Sequence, residues 1–325
     1  MNRFYGWWIV FAGSVILFIA SGIGFYCHSV ILDPLREMHS WSKGIVSAAI
    51  TFFFFTNGIA GLVMGRWVDR YGPKWFLIFG SILFSAGLYL LPRINSLSQL
   101  FAIYFILALG FCATALVPIN TLLTNWFIRK RGFAMSIASN GLSVGGMVMV
   151  PLTSFFILRL GFNQALTILA IIYVVVIVPI TLIFIKHRPS DIGQYPDGDP
   201  PPQASDGTGQ YPGSQMQTWT RLQAMKTMAF WSISIAFMLA LAGQIAYLVH
   251  QVSFLAQYLG SQQAAFTVSI TTGASIMGRL VIGSFVDRAD KRYVTIGCVL
   301  LQGSAVATLA FSSHVVVLYL CTFVF

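Results

Sequence analysis

An all-α integral membrane protein, with about nine and a half helical spans of bilayer length, is the fold class this sequence predicts. Three observations carry it. Of 325 residues 57% are apolar and only 9% charged, whereas soluble domains are about a quarter charged. Uncharged runs of about twenty residues recur, the length a bilayer core requires. Basic residues gather between those runs rather than inside them.

Spans are expected near residues 6–32, 44–65, 75–91, 99–126, 132–158, 163–185, 228–258, 264–286 and 293–311. The first opens on Trp7 and Trp8, which suit the interfacial aromatic belt, and it is too long for the apolar core of a cleavable signal. The second carries the Phe52–Phe55 run, expected to meet lipid and packing partners, and Gly61 with Gly65 at the small-xxx-small spacing that lets helices approach closely. In the fourth, Pro118 removes one backbone hydrogen bond and leaves a carbonyl available one turn before it, next to Asn120. The fifth contains Gly141-Leu142-Ser143-Val144-Gly145. This matches the G-x-S-x-G nucleophile elbow, but an elbow needs a strand–turn–helix setting, so the two glycines are read as a packing face. The seventh carries Gln244, Tyr247, His250 and Gln251, a polar stripe on one helix face that is expected to line an aqueous cavity. A tenth run begins at Val315 and stops at Phe325, short of the roughly 20 residues of a crossing. The chain is therefore expected to be a piece of a longer one.

Arg and Lys alternate between the two sides. Arg3, Arg66, Arg70, Lys74, Arg129, Lys130, Arg131, Lys186, Arg188, Arg221, Lys226, Arg288, Lys291 and Arg292 fall on one side, against Arg36, Lys43, Arg93 and Arg159 on the other. By the positive-inside rule the N-terminus is expected in the cytoplasm, in a cell inner (plasma) membrane. The net charge of +10 follows from that topology. A nucleic-acid partner is not indicated, since the basic residues are divided among separate loops without stacking aromatics. Cys27, Cys112, Cys298 and Cys321 all lie in predicted spans, so neither a disulfide framework nor a metal cluster is expected. No cofactor is expected, and the sequence has no phosphate-cradling loop for ATP drive.

A repeat organises the chain. Gly65-Arg66-Trp67-Val68-Asp69-Arg70 and Gly283-Ser284-Phe285-Val286-Asp287-Arg288 share G-x-x-x-D-R at an offset of 218 positions. The same offset lays the second, third and fourth spans on the eighth, ninth and tenth, the mark of duplicated six-helix halves. The expected organisation is a half over 1–185, a cytoplasmic linker over 186–226 and a second half over 227–325. The stretch from Pro189 to Gly213, rich in Pro, Gly, Asp, Gln and Ser, has too few large aliphatics to form a core.

The duplicated element, followed in its first copy by Gly72 and Lys74, resembles the loop between the second and third helices of the major facilitator superfamily. That resemblance implies a two-half transporter fold, with Gly65, Asp69, Arg70, Gly283, Asp287 and Arg288 latching the inward gate. A carboxylate near a helix end and a forked Arg donor suit a latch. Three further stretches resemble the monocarboxylate and oxalate–formate branch: Tyr5-Gly6-Trp7-Trp8; Trp126-Phe127-x-Arg129-x-Arg131-Gly132 running into Gly141-x-x-Val144-Gly145; and Arg188-Pro189-x-Asp191-Ile192-Gly193-x-x-Pro196-Asp197-Gly198. Gly278-Arg279 in the eighth span extends the likeness to the second half.

Arg279 is the one charged residue mid-way along an apolar run. A guanidinium at bilayer depth costs roughly 2.5 to 3.5 kcal/mol on insertion scales, so it calls for a partner, most simply an anion near the bilayer's middle. The repeat offset places Gly61 opposite Arg279 and Asn57 opposite Ser275, an asymmetry that fold maintenance does not demand. Arg grips a carboxylate bidentately, and the resemblance gives this arginine the substrate. Tyr247, His250, Ser275 and Asn120 are expected to line the cavity, with His250 a candidate for sensing or carrying a proton. His28 stands in the region where the animal carriers of this branch have a lysine. Ser275 stands where they have an aspartate, so the acid that takes up a proton there is missing. No Asp or Glu lies deep in any span.

The resemblance implies secondary active transport, with no enzymatic activity: a small monocarboxylate of the lactate or pyruvate type crosses together with a proton, in symport, by alternating access. Two other readings stay open at this point, an oxalate–formate type anion exchanger with a second cation late in the chain, and a transporter-shaped receptor.

Overall fold

The computed structural model describes residues 4–198, 223, 225–285, 290–312 and 314–325. Most of the linker, and Asp287 and Arg288 of the second gate motif, lie outside the described residues.

Before the linker the chain forms α1 (Gly6–Ser21), α2 (His28–His39), α3 (Lys43–Tyr71), α4 (Pro73–Leu90), α5 (Leu97–Thr114), α6 (Leu116–Trp126), α7 (Arg131–Leu160) and α8 (Phe162–Phe184). After it come α9 (Met228–Leu259), α10 (Ser261–Phe285), α11 (Lys291–Phe311) and α12 (Val315–Val324). Among the described residues eight helical stretches are long and apolar enough to cross a membrane. At 25 residues α10 has the same reach.

Side chains set several of the ends. Ser42 accepts from Ile45 N, Ser96 from Gln99 N and Thr227 from Phe230 N, each supplying an N-terminal amide with an acceptor. Between α3 and α4, Gly72 adopts φ +83° and Pro73 takes the first position of the next helix, the order in which glycine stops a helix and proline starts one. Two expectations need correction here. The second span does not end near residue 65 but runs on to Tyr71, so Gly65, Asp69 and Arg70 sit in the last turns of a helix rather than in a loop. Charged residues do not interrupt a helix that has already left the hydrocarbon.

Two crossings are broken. Gly22–Tyr26 winds as a π turn that joins α1 to α2, and α5 gives way to α6 at Ala115, which has ψ −137°. Pro118 explains the second break, since it has no N–H for the Thr114 carbonyl. The Thr114 hydroxyl bonds back to Gly110 O at 3.0 Å and meets the Tyr173 hydroxyl at 2.6 Å.

The α1–α7 crossing is the tightest in the first bundle. A Cβ on Gly141 would fall on the Ser14 carbonyl oxygen, and one on Gly145 on that of Phe18. The packing reading of the G-x-S-x-G stretch therefore holds. The parallel expectation for Gly61 and Gly65 does not: Gly65 has no neighbour within 4 Å of its Cβ position, and Gly61 has only ordinary contacts. Interhelical hydrogen bonds supplement these contacts, from Ser21 Oγ to Leu142 O at 2.7 Å and from Ser85 Oγ to Ala170 O at 2.7 Å. Small residues and such bonds are what hold helices together where lipid is as apolar as the side chains.

The described start of the linker is docked. Residues Pro189–Ile192 and Pro196–Gly198 form two short 3₁₀ turns. Trp126 Nε1 donates to Lys186 O at 3.0 Å, and the Tyr5 amide to Gln194 Oε1 at 3.0 Å. The Asp197 carboxylate accepts the amides of Ile128 at 3.0 Å, Arg129 at 2.7 Å and Lys130 at 3.2 Å, just before α7. Partial burial pushes this carboxyl up, but the three amides and the Arg129 charge outweigh it and hold the pKa below the ordinary carboxylate value.

Candidate functional site

The seam between α7 and α10 runs antiparallel and is joined about once per turn. Ser269 Oγ donates to Met147 O at 2.6 Å, Ser143 and Ser275 share a hydroxyl pair at 3.1 Å, and Arg279 Nη1 donates to Ser139 O at 3.5 Å. On α7 the partners fall at Met147, Ser143 and Ser139, every fourth residue and so on one face, while on α10 they fall at Ser269, Ser275 and Arg279.

Arg279 completes this ladder. Its Nε donates to Ser275 O at 3.2 Å, one Nη2 bond goes to Ser275 Oγ at 3.2 Å, and another goes to Ser143 Oγ. Every acceptor is a neutral oxygen. Among the described residues no carboxylate pairs with the guanidinium; Asp33 and Glu37 pair with Arg36 instead. Ser143 is fully buried, whereas Arg279 stays exposed on its open side. It sits in the second half of the described length of α10.

Tyr26 joins the cluster from the π turn. Its hydroxyl lies beside Ser143 and within the field of Arg279, and π turns re-aim a side chain by adding a residue to the helix. Ser139, Ser143 and Tyr26 were missed by sequence reasoning. Ser139 and Ser143, one turn apart on an apolar helix, were the available signal for the first two.

The other expected cavity residues are dispersed. Ser275 touches Arg279. Gln251 is buried and donates to Thr267 at 3.0 Å and Thr271 at 3.1 Å, and Tyr247 lies against Phe325 with ring centroids 3.9 Å apart. Among the described residues both therefore sit between α9, α10 and α12. Gln244 of the same polar stripe borders a cavity of about 480 Å³, with Ile282, Cys298 and Gln302. His250 faces Asp33 and Lys43, near the place where Lys43 Nζ meets Ser253 Oγ at 2.5 Å. That is at the opposite end of α9 from its first residue, far from Arg279. His28 is buried inside the first bundle, 4.7 Å from the Phe53 ring and 5.8 Å from Tyr104. Asn120 is exposed on α6, and its carbonyl accepts from Thr124 Oγ1.

Of the gate residues, Asp69 accepts from Thr121 Oγ1 of α6 at 3.3 Å, and the Arg70 guanidinium lies 5.5 Å from the Tyr71 ring. Gly283 falls within α10.

Comparison with known proteins decides the family. A model described as Major Facilitator Superfamily matches residues 14–325. The chain belongs to the major facilitator superfamily. This superfamily member is 25% identical over 157 residues to an uncharacterized MFS-type transporter, YcxA, of Bacillus subtilis strain 168, covering 48% of the chain and 38% of that relative. It is 25% identical over 148 residues to the oxalate:formate antiporter of Oxalobacter formigenes, covering 46% of the chain and 35% of the antiporter. The chain thus spans well under half the length of these curated relatives. A solved bacterial homologue of the human lysosomal transporter Spinster, inward-facing and unoccupied, superposes with a TM-score of 0.71 at 16% identity, over 100% of the chain and 72% of that structure. At that identity the likeness shows the fold. The chain is a multi-pass integral membrane protein of that superfamily.

Proposed function

We propose that this superfamily member is a secondary active carrier of a small monocarboxylate of the lactate or pyruvate type, moved together with a proton by alternating access between two halves. One observation carries the reading. A guanidinium stands at the seam between the helices before and after the linker, open on one side, with hydroxyls and carbonyls as its partners and no carboxylate among the described residues. A carboxylate supplies the missing charge and fits the planar fork of donors. Ser275 and Tyr26 flank it with hydroxyls suited to a hydroxyl or keto group beside that carboxylate.

A single described cation in the spans matches one negative charge, and co-transport of a proton makes the cycle electroneutral. Without a buried acid, the proton must travel on the substrate's carboxyl or on a histidine. His250, which lies within the field of Lys43 and Asp33 at the seam with α2 and α3, is the histidine this reading assigns. The N-terminus is assigned to the cytoplasm of a plasma membrane by the basic loops.

Proteoliposomes holding the full-length protein test this. Labelled lactate should accumulate when the pH is lower outside than in, and collapse of that gradient should abolish accumulation. Uptake indifferent to the gradient contradicts proton coupling. Exchange of external formate for internal oxalate, with no net lactate entry, favours the second reading, an anion exchanger, which the relative named oxalate:formate antiporter supports.

A further inference from the structure

The guanidinium of Arg279 divides its bonds between two helices. Its Nε bond and one Nη2 bond stay on α10, with Ser275 O and Oγ. The Nη1 bond and the other Nη2 bond cross to α7, to Ser139 O and Ser143 Oγ. The Nη1–Nη2 edge is one of the two edges that can hold a carboxylate with parallel bonds, and it is the edge that ties α10 to α7. An anion on that edge and α7 therefore compete for the same protons.

Ser143 is placed for such an exchange. It is fully buried, so its hydroxyl cannot turn to water, but it keeps Ser275 Oγ at 3.1 Å as a second partner. Releasing the arginine leaves neither hydroxyl orphaned. The glycines on either side of Ser143 in sequence fix α7 against α1, so the hydroxyl stays put while the arginine leaves it.

Resting on the carboxylate reading of the site, we propose that Ser143 is a positioning residue that holds Arg279 until a carboxylate displaces it, so that substrate binding unties α7 from α10. The held form is a competing state, and a ligand binds less tightly by the fraction of time the arginine is occupied elsewhere. Removing the Ser143 hydroxyl removes one hydrogen bond to a charged group. Ser143→Ala should accordingly bind lactate about tenfold tighter than the unsubstituted protein. A merely structural role predicts the reverse, because a damaged site loses affinity.

The test is a lactate titration followed by thermal shift on the full-length protein, on Ser143→Ala and on Arg279→Ala, with the ligand-free midpoint recorded for each. Tighter binding by Ser143→Ala, with none by Arg279→Ala, is the expected result. Equal or weaker binding by Ser143→Ala overturns the positioning role while leaving the carboxylate site standing. No lactate binding by the unsubstituted protein, or equal binding by Arg279→Ala, overturns both. Should Ser143→Ala fail to fold, Ser143→Cys gives a second readout. A thiol is a weak hydrogen-bond acceptor, so Ser143→Cys should likewise release the guanidinium and bind lactate more tightly than the unsubstituted protein, and equal or weaker binding contradicts the proposal.

Discussion

At the residue scale the chain shows why a lone charge in an apolar helix is worth following. Arg279 was legible because nothing else like it occurs mid-span, and an uncompensated charge in a membrane is a functional signal. Its partners were not legible. Ser139 and Ser143 are small, carry no charge and sit in a helix whose glycines already explained its pattern, and their relation to Arg279 depends on the α7–α10 register, which no local spacing encodes. His28 shows the reverse failure: its place in the chain suggested a cavity, but Phe53, Phe54 and Tyr104 enclose it. A residue-scale prediction follows from Gly145, whose Cβ position falls on the Phe18 carbonyl oxygen. Gly145→Ala should lower stability by about 1 to 3 kcal/mol through overpacking, seen as a lower unfolding midpoint in detergent, while the same change at Gly65, which has open space, should leave the midpoint unchanged or slightly raised.

At the element scale most spans were readable from apolar run length alone, because a bilayer imposes one length on every crossing. The exceptions have physical causes. The overrun of α3 to Tyr71 was hidden because Arg66, Asp69 and Arg70 look like a loop but are tolerated in the aqueous end of a helix. The π turn at Gly22–Tyr26 was hidden because one added residue leaves composition unchanged. The linker start was read as lacking a core, which it does, but docking needs only specific bonds. Asp197 makes three of them to the amides before α7. Asp197→Ala should increase hydrogen exchange at Ile128, Arg129 and Lys130 well beyond that of the unsubstituted chain. The pH dependence follows from the depressed pKa. A carboxylate whose pKa is lowered by folding contributes stability above its unfolded value of about 3.9, and that contribution is lost as pH falls through the folded value. Protection of the three amides, corrected for intrinsic rate, should therefore hold from neutral pH down to about pH 4 and fade only below it.

At the scale of the whole molecule, described helices before and after the linker meet along seams that include α7 with α10 and the α2–α3 region with α9. The second seam holds Lys43 against Ser253. If the halves rock about a central site, as alternating access requires, that contact must open and close in every cycle. Linking Lys43→Cys to Ser253→Cys with a short bifunctional thiol reagent should stop transport, and reversal of the link should restore it; transport that continues through the link contradicts rocking at this seam. The first seam carries the central claim, that Arg279 is where the carried anion binds. The most direct measurement is initial uptake of labelled lactate by proteoliposomes containing the full-length protein, Arg279→Lys or Arg279→Ala, at matched insertion. Loss of two charge-assisted bonds predicts that kcat/KM falls about a hundredfold or more in Arg279→Ala, with partial retention in Arg279→Lys, which keeps the charge without the fork. Uptake by Arg279→Ala within a few-fold of the unsubstituted protein would contradict the account.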